Sequence, residues 1–192
     1  MQSGRANTPL FWAVLVVIVA ADLITKIVAV FSLAPRGIPH EVIGNTVRFT
    51  LVYNPGAAFG LHLGSYSRWI FMALTIGALV ILGRLYRATR DGDLIRTLAI
   101  SLVCGGAVGN LIDRIRSPLG VVDFVDVGFG DTRWPTFNVA DMAVSVGAFL
   151  LAWVLWGEDS QHAAVASGTS GGAPGSEAAL PASAASQPAS DV

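Results

Sequence analysis

Four apolar runs limit what this chain can fold into: roughly Leu10 to Phe31, Trp69 to Tyr86, Leu94 to Leu111 and Val139 to Trp156. About 20 helical residues cross the ~30 Å hydrocarbon core of a bilayer. Inside lipid only helices and closed barrels satisfy every backbone N–H and C=O group. The expected fold class is therefore an all-α membrane protein with four transmembrane helices. Composition agrees, at 53% hydrophobic and only 13% charged residues. A cleaved signal peptide competes for the first run, but that run is too long for one and holds Asp22 and Lys26, which a secretory apolar region excludes. Trp12, Trp69, Tyr86, Trp153 and Trp156 fall near the expected helix ends, where amphipathic rings favour the headgroup level.

A net charge of -1 leaves no basic footprint for nucleic acid. The one cysteine, Cys104, has no intramolecular disulfide partner and reads as a small core residue. Arg84, Arg87, Arg90 and Arg96 crowd the short second connection, which the positive-inside bias assigns to the cytoplasm together with both termini. The first connection, residues 32–68, contains an alternating stretch with Val47, Phe49, Leu51 and Tyr53 on one face and Thr46, Arg48 and Thr50 on the other, closed by Asn54-Pro55-Gly56. That is a strand followed by a turn. Residues 1–157 are expected to form one membrane-embedded domain, and 158–192, rich in Ala, Ser, Gly and Pro, a disordered cytoplasmic tail.

Ionisable side chains within a span cost about 2.5–3.5 kcal/mol each on insertion scales, so each is a functional candidate. With this topology the outer ends gather Asp22 and Lys26 on helix 1, Asn110 and Asp113 on helix 3, and Asn138 and Asp141 at the start of helix 4. Asn54, Gly56, Asp123 and Asp126 lie in the two outer connections at the same level. The histidines are scattered and no cysteine cluster exists, so no metal or other cofactor is expected. Ser101 and Ser145 lack an available base, because the only lysine, Lys26, has Asp22 as an i,i+4 partner. Paired carboxylates remain; a close pair shares one proton, so one member activates water while the other protonates the substrate.

The motifs Asp22-Leu-Ile-Thr-Lys26, Asn54-Pro-Gly-Ala-Ala-Phe59, Gly105-Gly-Ala-Val-Gly-Asn-Leu-Ile-Asp-Arg114, Val121-Val-Asp-Phe124 and Phe137-Asn-Val-Ala-Asp141 occur in this order. In them the chain resembles the bacterial lipoprotein signal peptidases, the aspartic signal peptidases of the inner membrane. The resemblance implies a catalytic pair at Asp123 and Asp141 and a small periplasmic β-cradle in the first connection. It further implies cleavage before a cysteine that already carries diacylglycerol. Asn54, Gly56, Asn110, Arg114 and Asn138 would bind substrate or orient the pair, while Asp22, Lys26 and Asp113 give structural polar support. The implied partners are prolipoproteins and membrane lipid, with no nucleic acid, and the protein is expected to be a monomer in the inner membrane. Pro55 stands where the family pattern varies, and the tail is no part of the family core.

Each residue also has a plainer reading. Asn138 and Asp141 have the spacing of an N-cap and its N3 acid. Asp123 reads alone as a loop aspartate, although its apolar neighbours favour a shielded one. Asp126 and Asp131 are expected to be solvated, and Asp113 to pair with Arg114 or help it clamp substrate. Gly105 reads as helix packing, with Gly106 and Gly109 open between packing and room for substrate. A proton-coupled transporter is one rival function, but helices 2, 3 and 4 have no acids in their inner halves to carry a relay. A noncatalytic assembly factor is the other.

Overall fold

A computed structural model describes residues 7–56 and 64–169. Four helices form: α1 (Thr8–Ser32), α2 (Ser67–Ala88), α3 (Leu94–Arg116) and α4 (Val139–Thr169). The membrane-crossing part of α4 is Val139–Gly157. The described residues through Trp156 form one compact unit, and the helical residues from Gly157 to Thr169 belong to a second. Residues 170–192 of the expected tail, and Ala57 to Phe59 of the Asn54 motif, lie outside the described residues.

Half of the α3 span is buried, against 17% for α1 and 6% for α2, so α3 is the central post. Its glycines explain how the neighbours close on it. A Cβ at Gly105 would meet the Ile18 side chain of α1, and one at Gly106 the Ala140 carbonyl of α4. One at Gly109 would stand 2.5 Å from Asp22 Oδ2. All three positions are thus used for close packing. Away from these seams the helices present Val16, Val17, Ile24, Ile81 and Phe149 outward, as spans bathed in lipid do.

Beside the C-terminal ends of α1 and α3 lies a four-stranded antiparallel sheet, in the order β1 (Pro39–Ile43), β2 (Val47–Asn54), β3 (Val121–Phe129) and β4 (Thr132–Arg133). The expected strand in the first connection is β2, but the sheet draws equally on the third connection. Asp123, expected in a loop though shielded by its apolar neighbours, stands inside β3. The β-branched and aromatic run Val121-Val122-Asp123-Phe124-Val125 suits a strand covered on both faces, and its first four residues are all buried. Leu51, Val122 and Phe124 pack against Ala29 of α1 and Leu33 at its C-terminal cap, fixing the sheet to the helices. A second cluster of Phe11, Leu82, Ile100 and Cys104 holds the opposite ends of the helices together.

Candidate active site

The start of α4 is a reciprocal cap. Asn138 Oδ1 accepts from Asp141 N at 3.0 Å and Asp141 Oδ2 accepts from Asn138 N at 3.2 Å, which satisfies free amide groups at the helix start. The cap also reaches outward. Asn138, wholly buried, directs Nδ2 to Asp123 Oδ1 at 2.6 Å, to Asn110 Oδ1 at 3.1 Å and to the Val122 carbonyl at 3.2 Å. Asn110 Nδ2 donates to Asp141 Oδ1 at 2.7 Å. Each of the two acids therefore receives a side-chain amide, and the two amides touch each other.

Asn54 completes the Asp123 side. Its Oδ1 accepts from Gly56 N at 3.0 Å, closing the turn after β2, and its side chain also hydrogen-bonds Asp123. Gly56 sits at φ 116°, where a Cβ would be strained and would meet the Phe71 ring at 2.8 Å. Asp123 is only 2% exposed. Burial pushes its carboxyl up to about 7 and the Asp141 charge pushes the same way, against hydrogen bonds from Asn54 and Asn138 and the Lys26 charge.

Both carboxyls line one cavity of about 620 Å³. Arg114 also lines it and interacts electrostatically with Asp141 and Asp123. Its Nη1 donates to the Asn110 carbonyl at 3.2 Å, while its buried Nε has no hydrogen-bond partner among the described residues. Trp134, Thr136, Phe137 and Ser145 line other walls, giving the cavity a mixed polar and apolar surface. The sequence reading did not single out Trp134 or Thr136; the stretch before a helix cap carries no signal that it folds back over a pocket.

Behind the acids lies a buried ionic hub. Lys26 Nζ approaches Asp22 Oδ2 at 2.7 Å, Asp113 Oδ2 at 2.8 Å and Asn110 Oδ1 at 2.9 Å. Asp113, expected to pair with Arg114 or help it clamp substrate and to join Asp22 and Lys26 as polar support, pairs with Lys26; successive residues on a helix point apart, which turns Arg114 aside. Asp126 departs from expectation too. Rather than being solvated it is 5% exposed, held by Arg48, Thr50 and Arg133. Asp131 is exposed, as expected. All ten expected site residues thus belong to one connected polar layer at the sheet end of the helices.

Four spans, an antiparallel sheet and two carboxyls over a shared cavity, Asp123 buried and Asp141 half-buried, define a multi-pass membrane protein with an acid-lined site. The pattern described as "Signal peptidase (SPase) II" matches residues 14–157. The lipoprotein signal peptidase of Burkholderia thailandensis is 41% identical over 155 residues, covering 79% of this chain and 90% of that one. The lipoprotein signal peptidase of Mycobacterium tuberculosis is 39% identical over 161 residues, covering 78% and 75%. A bacterial membrane enzyme solved by the in meso method at 2.3 Å superposes with a TM-score of 0.73 at 29% identity, over 84% of this chain and 96% of the other. A second, solved by the same method at 1.9 Å, gives 0.68 at 31% identity over 77% and 92%. The chain belongs to the signal peptidase II family. It is a protease and a multi-pass bacterial membrane protein.

Proposed function

We propose that the protein removes signal peptides from prolipoproteins, cutting before a diacylglyceryl-modified cysteine, with Asp123 and Asp141 as its acid and base. The observation that carries this reading is the pair itself: two carboxyls on one cavity, of which Asp123 is buried and raised to about 7 beside the Asp141 charge. Two such groups share a proton at working pH. Asp123 holds it, and Asp141, with both oxygens accepting N–H groups, is the base.

A water between the carboxyls gives a proton to Asp141 as its oxygen attacks the scissile carbonyl carbon. Asp123 passes its proton to the carbonyl oxygen, forming a neutral gem-diol. Collapse of the gem-diol breaks the C–N bond; the proton held by Asp141 goes to the leaving nitrogen and a hydroxyl proton returns to Asp123. No covalent intermediate forms, and positioned acid–base catalysis of this kind supplies about 10²- to 10⁴-fold. Arg114, facing the same cavity, offers N–H donors to the bound peptide.

The basic second connection lies in the cytoplasm with both termini, so the site opens near the outer face of the inner membrane. Substrate lipid stays in the bilayer beside the spans, and the protein works as a monomer. The test incubates detergent-purified protein with a diacylglyceryl-cysteine precursor and its unlipidated twin, with and without chelator. Cleavage of the lipidated form alone, unaffected by chelator, is expected. Normal processing by Asp123→Asn or Asp141→Asn protein that inserts correctly removes the assignment.

A further inference from the structure

We propose that Lys26, although on α1 and outside the cavity lining, is the common positioning residue for both members of the acid pair. The inference rests on Asp123 and Asp141 being that pair. Lys26 is 3% exposed, and a buried ammonium has three hydrogens to place and no capacity to accept. Asp22, Asp113 and Asn110 receive them, and each of the three in turn grips one of the acids or the residue before it.

Asp22 Oδ1 accepts from the Ala140 amide at 2.9 Å, so α1 holds the backbone immediately before Asp141. The absent side chain at Gly109 is what admits the Asp22 carboxylate there. Asp113 Oδ2 accepts from the Val122 amide at 3.2 Å, holding the backbone immediately before Asp123. Asn110 must turn its oxygen to Lys26, because an NH₂ group facing an ammonium would set donor against donor. Its Nδ2 is thereby aimed at Asp141, and its oxygen also receives the Asn138 amide that serves Asp123. One cation thus sets the spacing of the two carboxyls and decides which end of the Asn110 amide they meet. Without it Asn110 is free to rotate and offer its oxygen to Asp141, removing the donor that keeps that carboxyl available as the base.

A brace that only held α1 in place would leave the proton chemistry untouched, so the readout is kinetic and pH-dependent. The groups facing Asp123 are Asp141 from α4, Asn138 at the start of that helix, Arg114 from α3, Lys26 from α1 and Asn54 from β2, with Asp22 and Asp113 behind them on Lys26. Of these Lys26 is one of the two cations, and a cation favours the ionised carboxyl. Purified full-length Lys26→Met and Lys26→Arg proteins are assayed on the lipidated precursor across pH 5 to 9, with folding followed by thermal melting. Lys26→Met is expected to lower kcat by about 100-fold, the usual cost of ångström-scale misplacement, with KM changed less than about threefold and the alkaline limb moved up by about one unit. Lys26→Arg keeps the charge but replaces a tetrahedral donor with a planar fork, so kcat should fall with the limb in place. Wild-type kcat in folded Lys26→Arg overturns the proposal, as does a folded Lys26→Met protein with an unmoved limb. If Lys26→Met fails to fold, the Lys26→Arg result decides alone. A wild-type enzyme with no alkaline limb near neutrality counts instead against the acid pair itself.

Discussion

Asp123 and Asp126 stand three residues apart on β3 and so project from opposite faces of the sheet. Both are little exposed, at 2% and 5%. Burial raises both carboxyls, yet the outcomes diverge. Around Asp126 the hydrogen bonds from Arg133, Thr50 and Arg48 outweigh burial and hold it below the usual carboxylate range. Around Asp123 burial is reinforced by the Asp141 charge and the hydrogen-bond donors are neutral amides, so the raised value stands at about 7. Residue type, strand and low exposure are shared; the deeper setting and neutral amide partners of Asp123, against the guanidinium partners of Asp126, make one face of the strand a proton-carrying site and the other a clamp.

Exchanging the acids for amides separates the two faces most sharply. Asp123→Asn and Asp141→Asn should each reduce cleavage of the lipidated precursor by about 10⁴-fold or to background, with near-normal melting, because acid–base catalysis is removed while the shape remains. Asp126→Asn should stay within a few-fold of wild type. Loss of activity in Asp126→Asn equal to that in Asp123→Asn, measured on folded protein, erases the distinction.

Stability should show the converse. Arg48 Nη2 lies 2.8 Å from Asp126 Oδ2, and Arg133 Nη2 is paired with Oδ1 at 2.6 Å. Asp126→Asn leaves two guanidinium groups without their counter-charge. Those side chains are about one-fifth exposed, so water screens part of the loss. The expected cost is about 2 kcal/mol, below the ~3–5 of a fully buried broken pair, read as a lowered melting temperature in detergent at pH 7.

The two acids should also bend stability against pH in opposite directions. Asp126 has a folded value below its unfolded one, so its contribution is present above about 4 and lost as pH falls through the folded value. Asp123 has a folded value above its unfolded one, so stability is lost as pH rises from about 4 through about 7. Between pH 5 and pH 8, Asp123→Asn should therefore gain on wild type by about 2 kcal/mol. Melting curves of both proteins at the two pH values check this; a constant gap means Asp123 does not ionise in that window.

The contrast between these acids also marks what the chain discloses before it folds. Four spans could be read directly, since membrane crossing depends on local length and apolarity. The convergence of Asp22, Lys26, Asn110, Asn138 and Asp141 followed from helix direction alone, and the reciprocal cap from the spacing of Asn138 and Asp141. The choice of Asp123 came from the resemblance to a family. The fate of Asp126 was hidden because Arg48 lies 78 residues away, and only the β2–β3 register sets it opposite. The Lys26–Asp113 pair was obscured by an adjacent arginine in the sequence, a neighbour that helix geometry turns aside. Local pattern fixes elements; the partners of a buried charge are decided by packing between them.

The smallest effect belongs to Asp131, which composition alone would group with Asp126. It sits exposed in the turn between β3 and β4, two residues before Arg133, close enough in sequence to compete for that guanidinium. Each nitrogen of Arg133 is already held elsewhere: Nε donates to Asp126 Oδ1, Nη2 to the Asp126 carbonyl and Nη1 to the Asn45 carbonyl. Asp131→Asn should therefore change stability by less than about 0.5 kcal/mol, as surface substitutions away from a fixed network do, and leave cleavage unchanged. The measurement is a melting comparison with Asp126→Asn at low and high salt. If Asp131→Asn loses as much as Asp126→Asn, and the loss fades with salt, the sheet is held by diffuse negative charge near the arginines rather than by the directed hydrogen bonds on Asp126.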